Sequence, residues 1–380
     1  MKILFILHIP PPVHGASVIG GLIKESSAIN KSFECRYINY SISSSVEEIG
    51  HNATGKILRY ISLVWNVQKQ LVLFRPDICY FSPNSKGIGF YKDAVIILLV
   101  RLFGIRVVHH FHNKGVILRQ NKYFDNILYK LVFNNADVIL LSKHLYPDLR
   151  NYVPKNRVHY CPNGISDSKT DLTPSSKHER QFVAQSVQRS PGNIAICVQL
   201  LFISHLIESK GIFILIEALR LLHDKHLDFH CVMIGGEGDV SEAQLQTVVD
   251  NAGLTEKVLI AGKRFGAEKE SQFEQADIFV HPTFSDCLPL VLLEAMKYRL
   301  PIVSTFEGAI PDVVEDGKTG FLVQQKDASA LGDKLEILIK DSELRQKMGL
   351  AGRRKYEKEF ILPVFEKRML EILTKITVKE

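Results

Sequence analysis

Short apolar segments alternate with amphipathic segments along most of the chain. The apolar segments, which are typical of buried strands, lie at residues 2–9, 78–81, 106–109, 138–142, 231–234, 258–261, 278–281 and 302–305. One amphipathic segment has the i, i+3, i+4, i+7 spacing of a helix with a buried face, formed by Ile212, Leu215, Ile216, Leu219 and Leu222. Strands that alternate with helices predict parallel sheets covered on both faces, which is the α/β class.

The length of the chain predicts two domains. Its 380 residues exceed what one core accommodates well, and two domains of about 150 to 200 residues fit better. We place the first domain at residues 1–168, a polar linker at 169–192 and the second domain at 193–363. Pro363 must end or kink the helical pattern of 342–379, and the part after it, about 364–380, can return to the first domain. Two such domains imply a cleft between them.

The two halves of the chain differ in charge. Residues 1–190 hold 24 Lys and Arg against 12 Asp and Glu, whereas residues 191–380 hold 23 against 29. A basic first half predicts contact with something anionic, such as a membrane surface, a lipid pyrophosphate or nucleic acid. We do not expect nucleic acid, because no basic stretch is interleaved with aromatic residues that stack on bases.

The sequence shows no export signal and no membrane-spanning segment. The longest apolar run, residues 94–100, is far shorter than the roughly 20 residues that cross a bilayer, and residues 1–5 are typical of a first core strand. The six cysteines lie far apart, which predicts reduced thiols rather than disulfides or a zinc site. We therefore expect a cytoplasmic protein, with the inner face of the membrane as the anionic surface nearest to it.

Loops that follow strands are where open parallel sheets bind ligands, and four of these loops carry unusual residues. In the first, "HIPPPVHGAS", Gly15 lets a ligand approach the backbone closely. A helix begins soon afterwards, and the free amides at its N-terminus suit phosphate. A proline-stiffened turn without a ligand is the alternative.

The second loop follows the strand in "VVHHFHNKG" and contains three histidines. His110 and His112 share one face of the strand, His109 points away, and no carboxylate lies nearby in sequence, so a metal site is not expected. A hydrogen-bonded structural histidine and a polar active-site role for His112 are the two remaining interpretations. The position of His112 at a strand end favours the second.

The third loop, in "FISHLIESKGIFILIEAL", contains His205 and Lys210. Lys210 lies just before a helix, where its charge and the free backbone amides can together hold a diphosphate. A lysine in this position is also commonly just solvated, and the loop alone does not separate the two interpretations.

The fourth segment, "HPTFSDCLPLVLLEAMKYRLPIV", is the most informative. Asp286 lies in a loop, and Glu294 lies eight residues further on, in a helix that begins near Pro289. The first carboxylate can accept hydrogen bonds from sugar hydroxyls, the second can bind a vicinal diol such as ribose, and the amides of Leu288 to Leu290 can face phosphate. Without further information, an N-cap aspartate and an exposed helix glutamate explain the pair equally well.

The fourth segment resembles the donor site of retaining GT-B glycosyltransferases of family 4, the group 1 glycosyltransferases. That family carries two glutamates separated by seven residues, and here "PTFSDCLPLVLLEA" has Asp286 in the first position. The resemblance extends in order through "HIPPPVHGAS", "ADVILLSK", "HYCPNGI", "SHLIESKG" and "EGAIPDVVEDGKTGFLV", and so covers nearly the whole chain. It implies two facing Rossmann-like domains, an acceptor-binding one followed by a donor-binding one.

The resemblance also implies roles for individual residues. Glu294 would bind the ribose, Asp286 the transferred sugar and Lys210 the diphosphate. His205 stands where the family often has a second phosphate cation, the amides near Gly15 and at Leu288, Pro289 and Leu290 would complete the anion pocket, and His112 would line the reacting centre. Because no D-x-D sequence occurs, we expect no metal and no other cofactor.

The predicted function is transfer of a sugar, with retention of configuration, from a UDP- or GDP-linked donor to a glycan or polyprenyl-linked acceptor in cell-surface polysaccharide or glycolipid synthesis. Two alternatives share the fold. One is a nucleotide-sugar epimerase that needs no acceptor, and the other is a binding protein that has lost the chemistry, which the Asp at position 286 and His205 would explain.

Overall fold

The computed structural model describes residues 1–40, 53–167 and 197–378. Within them the predicted α/β class is confirmed, because the strands form two six-stranded parallel sheets with helices between successive strands. We call the first sheet and its helices the first lobe, and the second sheet and its helices the second lobe. The predicted linker, 169–192, lies outside the described residues, and the predicted domain boundaries stay a prediction.

The first lobe has the strand order β2-β1-β3-β4-β5-β6. Its strands are β1 (Lys2–Leu7), β2 (Glu34–Asn39), β3 (Ile78–Phe81), β4 (Arg106–Phe111), β5 (Asp137–Leu140) and β6 (Val158–Tyr160). Its helices are α1 (Gly15–Glu25), α2 (Ser27–Ser32), α3 (Ala53–Leu73), α4 (Gly87–Leu102) and α5 (Tyr123–Phe133). The central strands are buried along their whole length, which is why they are continuous apolar runs in the sequence.

The second lobe has the strand order β12-β11-β10-β7-β8-β9. Its strands are β7 (Val198–Ile203), β8 (Phe229–Ile234), β9 (Val258–Ile260), β10 (Ile278–His281), β11 (Ile302–Thr305) and β12 (Gly320–Val323). The helices that follow are α6 (Ile212–Asp224), α7 (Glu242–Asn251), α8 (Gly266–Gln275), α9 (Leu290–Lys297), α10 (Ile310–Val313), α11 (Ala328–Lys340), α12 (Ser342–Glu359) and α13 (Leu362–Val378).

The C-terminal helical segment breaks where a proline predicts it. α12 ends at Glu359 and α13 begins at Leu362, so Pro363 lies in the first turn of a new helix, where its missing N–H costs nothing. α13 packs against α2 of the first lobe. Its buried side chains Phe365, Met369 and Leu373 join the cluster formed by β1 and α1.

The lobes contact each other through the loops at the carboxyl ends of their strands. Asn163, after β6, donates a hydrogen bond to the Leu288 carbonyl oxygen at 3.4 Å. His144, after β5, lies 3.2 Å from the Asp312 carboxylate of the second lobe. Because these loops all follow strands, the carboxyl edges of the two sheets face each other, as in a cleft built for ligands.

Candidate active site

The side chains of Lys210 and Asp286 meet at the carboxyl edge of the second sheet. Lys210 ends the short 3₁₀ turn 208–210 after β7, and Asp286 lies in the loop between β10 and α9. Lys210 Nζ donates to Asp286 Oδ2 at 2.6 Å and to the Ser285 carbonyl oxygen at 3.3 Å. The structure therefore brings together two residues that are 76 positions apart in the chain.

Backbone contacts hold the loops of Lys210 and Asp286 against each other. The amide of Phe284 donates to the Ser209 carbonyl oxygen at 2.9 Å, and Thr283 Oγ1 donates to the same oxygen at 3.1 Å. Gly211 has a φ of +79°, and an added Cβ there would lie 2.1 Å from the Pro282 carbonyl oxygen. A glycine is thus required both for the turn before α6 and for the close approach of the second loop.

Asp286 is held in its charged form. Burial raises the pKa of its carboxyl group, but the hydrogen bond from His281 and the charge of Lys210 outweigh that effect and lower the pKa to about 2. His281 Nε2 lies 3.2 Å from Asp286 Oδ2. Asp286 is therefore an anion at every physiological pH and can act only as a hydrogen-bond acceptor.

Glu307 fixes the Asp286 loop from the other side and connects it to the first lobe. The carboxylate of Glu307 accepts hydrogen bonds from the Asp286 amide at 2.9 Å and from Gln325 Nε2 at 2.7 Å. It also forms an ion pair with Lys114, which follows β4 of the first lobe. Sequence analysis missed both residues, because their separation of almost 200 positions leaves no local signal.

α9 presents its N-terminus to the same edge. No side chain of the described residues caps it, and its N-cap is Pro289 rather than Asp286, so the N-cap explanation of Asp286 is wrong. Pro289 has no N–H, so among the three predicted positions only the amides of Leu288 and Leu290 can donate to phosphate. Pro289 contributes the fixed backbone angle that starts the helix.

Glu294 lies one turn into α9 and is half-buried. Its carboxylate forms a 2.7 Å ion pair with Lys269 of α8. Lys269 was not predicted, because it belongs to a different helix whose sequence is otherwise that of a solvated surface. The pair orients the carboxylate that the sequence analysis assigned to ribose.

His205 is a poor second cation. Burial, together with the nearby charges of Lys263 and Lys210, lowers the pKa of its imidazole, so the ring is neutral near pH 7. Lys263, which follows β9, lies against Gly236 in the loop after β8, where an added Cβ would be 2.1 Å from its Cε. The structure thus places the side chain of Lys263 near His205, where the sequence analysis expected the second phosphate cation.

The first lobe contributes a group of histidines. His14 is the N-cap of α1, and its Nδ1 accepts a hydrogen bond from the Ser17 amide at 3.3 Å. The rings of His8 and His14 lie 5.3 Å apart, and those of His110 and His112 lie 4.2 Å apart. Gly15 begins α1, and an added Cβ there would meet no atom of the residues that the structure describes within 4 Å.

His112 lies just beyond the end of β4, as the sequence predicts. Burial and the neighbouring His8 and His14 lower its pKa to about 3, so its ring is neutral. Its Nδ1 atom is buried and has no hydrogen-bond partner among the described residues. An unpaired buried polar atom is costly, and such atoms cluster at ligand sites where a bound molecule completes the hydrogen bond.

Across residues 1–40, 53–167 and 197–378, no group of three or more His, Cys, Asp or Glu side chains is arranged to hold a metal ion. In the same part of the chain, no helix is long and apolar enough to cross a membrane.

Comparison with known proteins gives these residues a context. Residues 198–355 match the protein family described as Glycosyl transferases group 1. Most of the second lobe is therefore similar to group 1 glycosyl transferases. The matched residues include Lys210, Asp286, Glu294 and Glu307, and the similarity supports the prediction that the chain is a transferase.

Similar proteins extend the match beyond residues 198–355. The amylovoran biosynthesis glycosyltransferase AmsK of Erwinia amylovora is 32% identical over 185 residues, which are 47% of this chain and 45% of AmsK. The capsular polysaccharide biosynthesis glycosyltransferase CapM of Staphylococcus aureus is 28% identical over 309 residues, which are 77% of this chain and 76% of CapM. The chain thus spans about half the length of the first relative and three quarters of the second.

The solved structure of Anabaena HepE in complex with UDP-glucose superposes on nearly the whole chain. It has a TM-score of 0.71 at 17% identity and covers 99% of this chain and 100% of HepE. At this identity the likeness shows the fold, and the predicted GT-B architecture of two Rossmann-like lobes is confirmed.

Proposed function

We propose that this chain transfers a sugar from a nucleotide-diphosphate sugar to a glycan or lipid-linked acceptor, and that it does so with retention of configuration as a family 4 enzyme. The observation that carries the proposal is the set of groups on one edge of the second lobe. A cation, two carboxylates and an uncapped helix N-terminus are the groups that a diphosphate flanked by a ribose and a sugar requires.

Each group has a separate task in this proposal. Lys210 and the amides of Leu288 and Leu290 stabilise the negative charge that develops on the departing diphosphate, with Lys263 as a second cation in place of His205. Glu294 binds the ribose hydroxyls, and the anionic Asp286 accepts hydrogen bonds from the transferred sugar. His112 offers its unpaired, neutral ring to the same sugar from the first lobe. No step in this scheme calls on a metal.

The names of similar proteins support a proposal for the pathway and the class of donor. AmsK and CapM are named for polysaccharide biosynthesis, and HepE binds UDP-glucose in its solved structure. We accordingly propose a UDP- or GDP-linked donor and a role in cell-surface polysaccharide or glycolipid synthesis. The acceptor would enter from the first lobe, whose basic character suits a pyrophosphate-linked lipid at an anionic membrane.

The test is a thermal-shift panel of nucleotide sugars on the wild-type chain and on Glu294→Ala. A ligand that binds only the folded state raises the melting temperature. We expect one nucleotide sugar to do so, and we expect Glu294→Ala to weaken its binding by at least about tenfold, because two hydrogen bonds to a charged group are lost. Glu343→Ala, on the exposed face of α12, is the matched control and should bind like the wild type.

Equal affinity of Glu294→Ala and the wild type would reject the proposed donor site. Isomerisation of the donor in the absence of any acceptor would instead support the epimerase, and binding without turnover across a panel of acceptors would support a binding protein.

A further inference from the structure

The first lobe exposes an unusual amount of apolar surface on three neighbouring helices. Of the 24 large apolar side chains that are exposed in the described part of the chain, sixteen lie between residues 57 and 131, in α3, α4, α5 and the loops that join them. Monomeric proteins rarely expose contiguous apolar patches of this kind without a binding partner.

α3 carries an exposed apolar stripe opposite its buried side. Leu58, Ile61, Trp65 and Val72 follow one another at helical spacing, and all four are exposed, Trp65 by 68%. The buried face of the same helix is formed by other residues, such as Leu63 and Val67. The helix is therefore apolar on two faces, and only one of them is covered.

α4 repeats the pattern with a seven-residue spacing. Ile88, Val95 and Leu102 occupy one line along its outer face, and Leu102 is 84% exposed. A helix that is apolar all round is normally buried on all sides. α4 packs against the sheet and against α3 and α5, but this outer line has no cover within the described residues.

α5 continues the surface. Phe124, Ile127 and Leu131 are exposed at i, i+3, i+7 spacing. The ring of Phe124 lies 5.9 Å from that of Tyr91 in α4, and the Tyr60 hydroxyl of α3 donates to the Lys92 carbonyl oxygen at 2.8 Å. The three helices therefore form one layer, and their outer stripes form one surface, which we call the three-helix face.

The charges around the three-helix face are mostly positive. Residues 53–133 contain twelve Lys and Arg but only three Asp and Glu. Two of these acids, Asp93 and Asp125, are buried, and Asp77 accepts a hydrogen bond from the Lys2 amide at the far end of β1. Exposed basic side chains such as Lys69 and Lys130 remain on the outer surface.

We propose that the three-helix face docks on an anionic lipid bilayer, with Trp65 and its apolar neighbours in the headgroup region and the surrounding Lys and Arg on the lipid phosphates. Apolar side chains, an amphipathic aromatic ring and basic residues that far outnumber exposed acids are the composition of membrane-surface helices. A second copy of the chain is a poor occupant, because two such faces would oppose positive charges.

The orientation of the helices links this surface to the cleft. α3, α4 and α5 begin near the carboxyl edge of the first sheet, so Leu58, Ile88 and Phe124 lie at the cleft end of the three-helix face. A lipid-linked acceptor anchored in the bilayer would enter the cleft at that end. The idea that a lipid-linked acceptor enters here rests on the proposed function. The docking of the three-helix face on a bilayer does not, and its test needs neither donor nor acceptor.

Trp65 reports on docking directly, because it is the single tryptophan of the chain. With phosphatidylcholine vesicles that contain roughly 30% phosphatidylglycerol, we expect a blue shift of its fluorescence and co-sedimentation of the protein. Pure phosphatidylcholine should give neither, and salt should weaken binding because exposed charges are screened.

Two pairs of variants separate the contributions of charge and apolar surface. Lys69→Glu with Lys130→Glu should weaken binding to the anionic vesicles by at least about tenfold, and so should Leu58→Ser with Ile61→Ser. Lys347→Glu with Lys358→Glu and, separately, Leu350→Ser, all on exposed positions of α12, are the matched controls and should bind like the wild type. All variants should keep the donor-induced thermal shift, which also shows that they fold.

Three results would overturn docking: no blue shift with anionic vesicles, equal binding to both kinds of vesicle, or a concentration-dependent dimer that buries Trp65 without lipid. Vesicle binding without any donor-induced thermal shift would reject the proposed function and leave docking intact.

Discussion

The histidines of the first lobe illustrate how burial sets the chemistry of single residues. Burial lowers the pKa of His8 to about 4, and the neighbouring His14 adds to the effect. Burial likewise lowers the pKa of His109 to about 4 and that of His112 to about 3. These rings are therefore neutral at pH 7 and offer hydrogen bonds rather than positive charge to a ligand.

Stability should consequently fall as the pH falls from about 6.5 towards 4. The unfolded chain takes up protons on these histidines in that window and the folded chain does not, so the free energy of unfolding drops by about 1.4 kcal/mol per pH unit for each of them. His112→Asn should reduce the slope by about that amount. Urea unfolding at pH 7, 6 and 5 measures it, with the exposed His226→Asn as the control.

A free energy of unfolding that does not change between pH 7 and 5, or an unchanged slope in His112→Asn, would show that these rings are protonated in the folded protein.

At the scale of elements, the proposed donor site depends on loops that touch through their backbones. Gly308, between β11 and α10, has a φ of +52°, and an added Cβ there would lie 2.5 Å from the Asp286 carbonyl oxygen. Gly317 has a similar φ of +73°, but within the described part of the chain an added Cβ there would meet no atom within 4 Å. Both positions strain a non-glycine residue, whereas only the first contacts the site.

The two glycines therefore form a matched pair. Gly317→Ala should lower the free energy of unfolding by about 1 to 2 kcal/mol from the left-handed backbone alone and leave donor affinity unchanged. Gly308→Ala should cost more and should also weaken donor binding by at least about tenfold, because the Asp286 loop must move. Urea unfolding and donor titration give both quantities. Equal donor affinities in the two variants would mean that the loop position is unimportant for binding.

The elements that the sequence predicts well are those with an extreme environment. Central strands such as β3 and β10 are buried throughout, so they are unbroken apolar runs. The sequence analysis did not predict β2, because it is an edge strand. Its exposed positions, Glu34 and Arg36 among them, interrupt the apolar run that marks a buried strand. Lys210, Asp286 and Glu294 could be proposed as site residues from the sequence because each lies in a short segment with its own motif.

The rest of the site depends on long-range contacts that no local pattern contains. Glu307 meets Asp286 only because β11 lies beside β10, and Lys114 meets Glu307 only because the two carboxyl edges face each other. The pKa of His205 likewise depends on Lys263, which lies 58 positions away and reaches it across the β8 loop. Such residues become visible only when the fold is known.

At the scale of the whole molecule, the two lobes carry different groups of the proposed site. The basic first lobe carries the three-helix face and the neutral histidines, and the second lobe carries the carboxylates and cations proposed for the donor. Lys114 with Glu307, and His144 with Asp312, connect the lobes across the cleft. The proposed reaction places the sugar between His112 and Asp286, so each lobe supplies one side of the site.

The most direct test of this account is a crystal structure of the chain with the nucleotide sugar that gives the largest thermal shift. The account predicts the diphosphate within hydrogen-bond distance of Lys210 Nζ and the Leu290 amide, the ribose hydroxyls on the Glu294 carboxylate and the sugar beside Asp286. A nucleotide bound elsewhere, or one whose ribose does not touch Glu294, would contradict it.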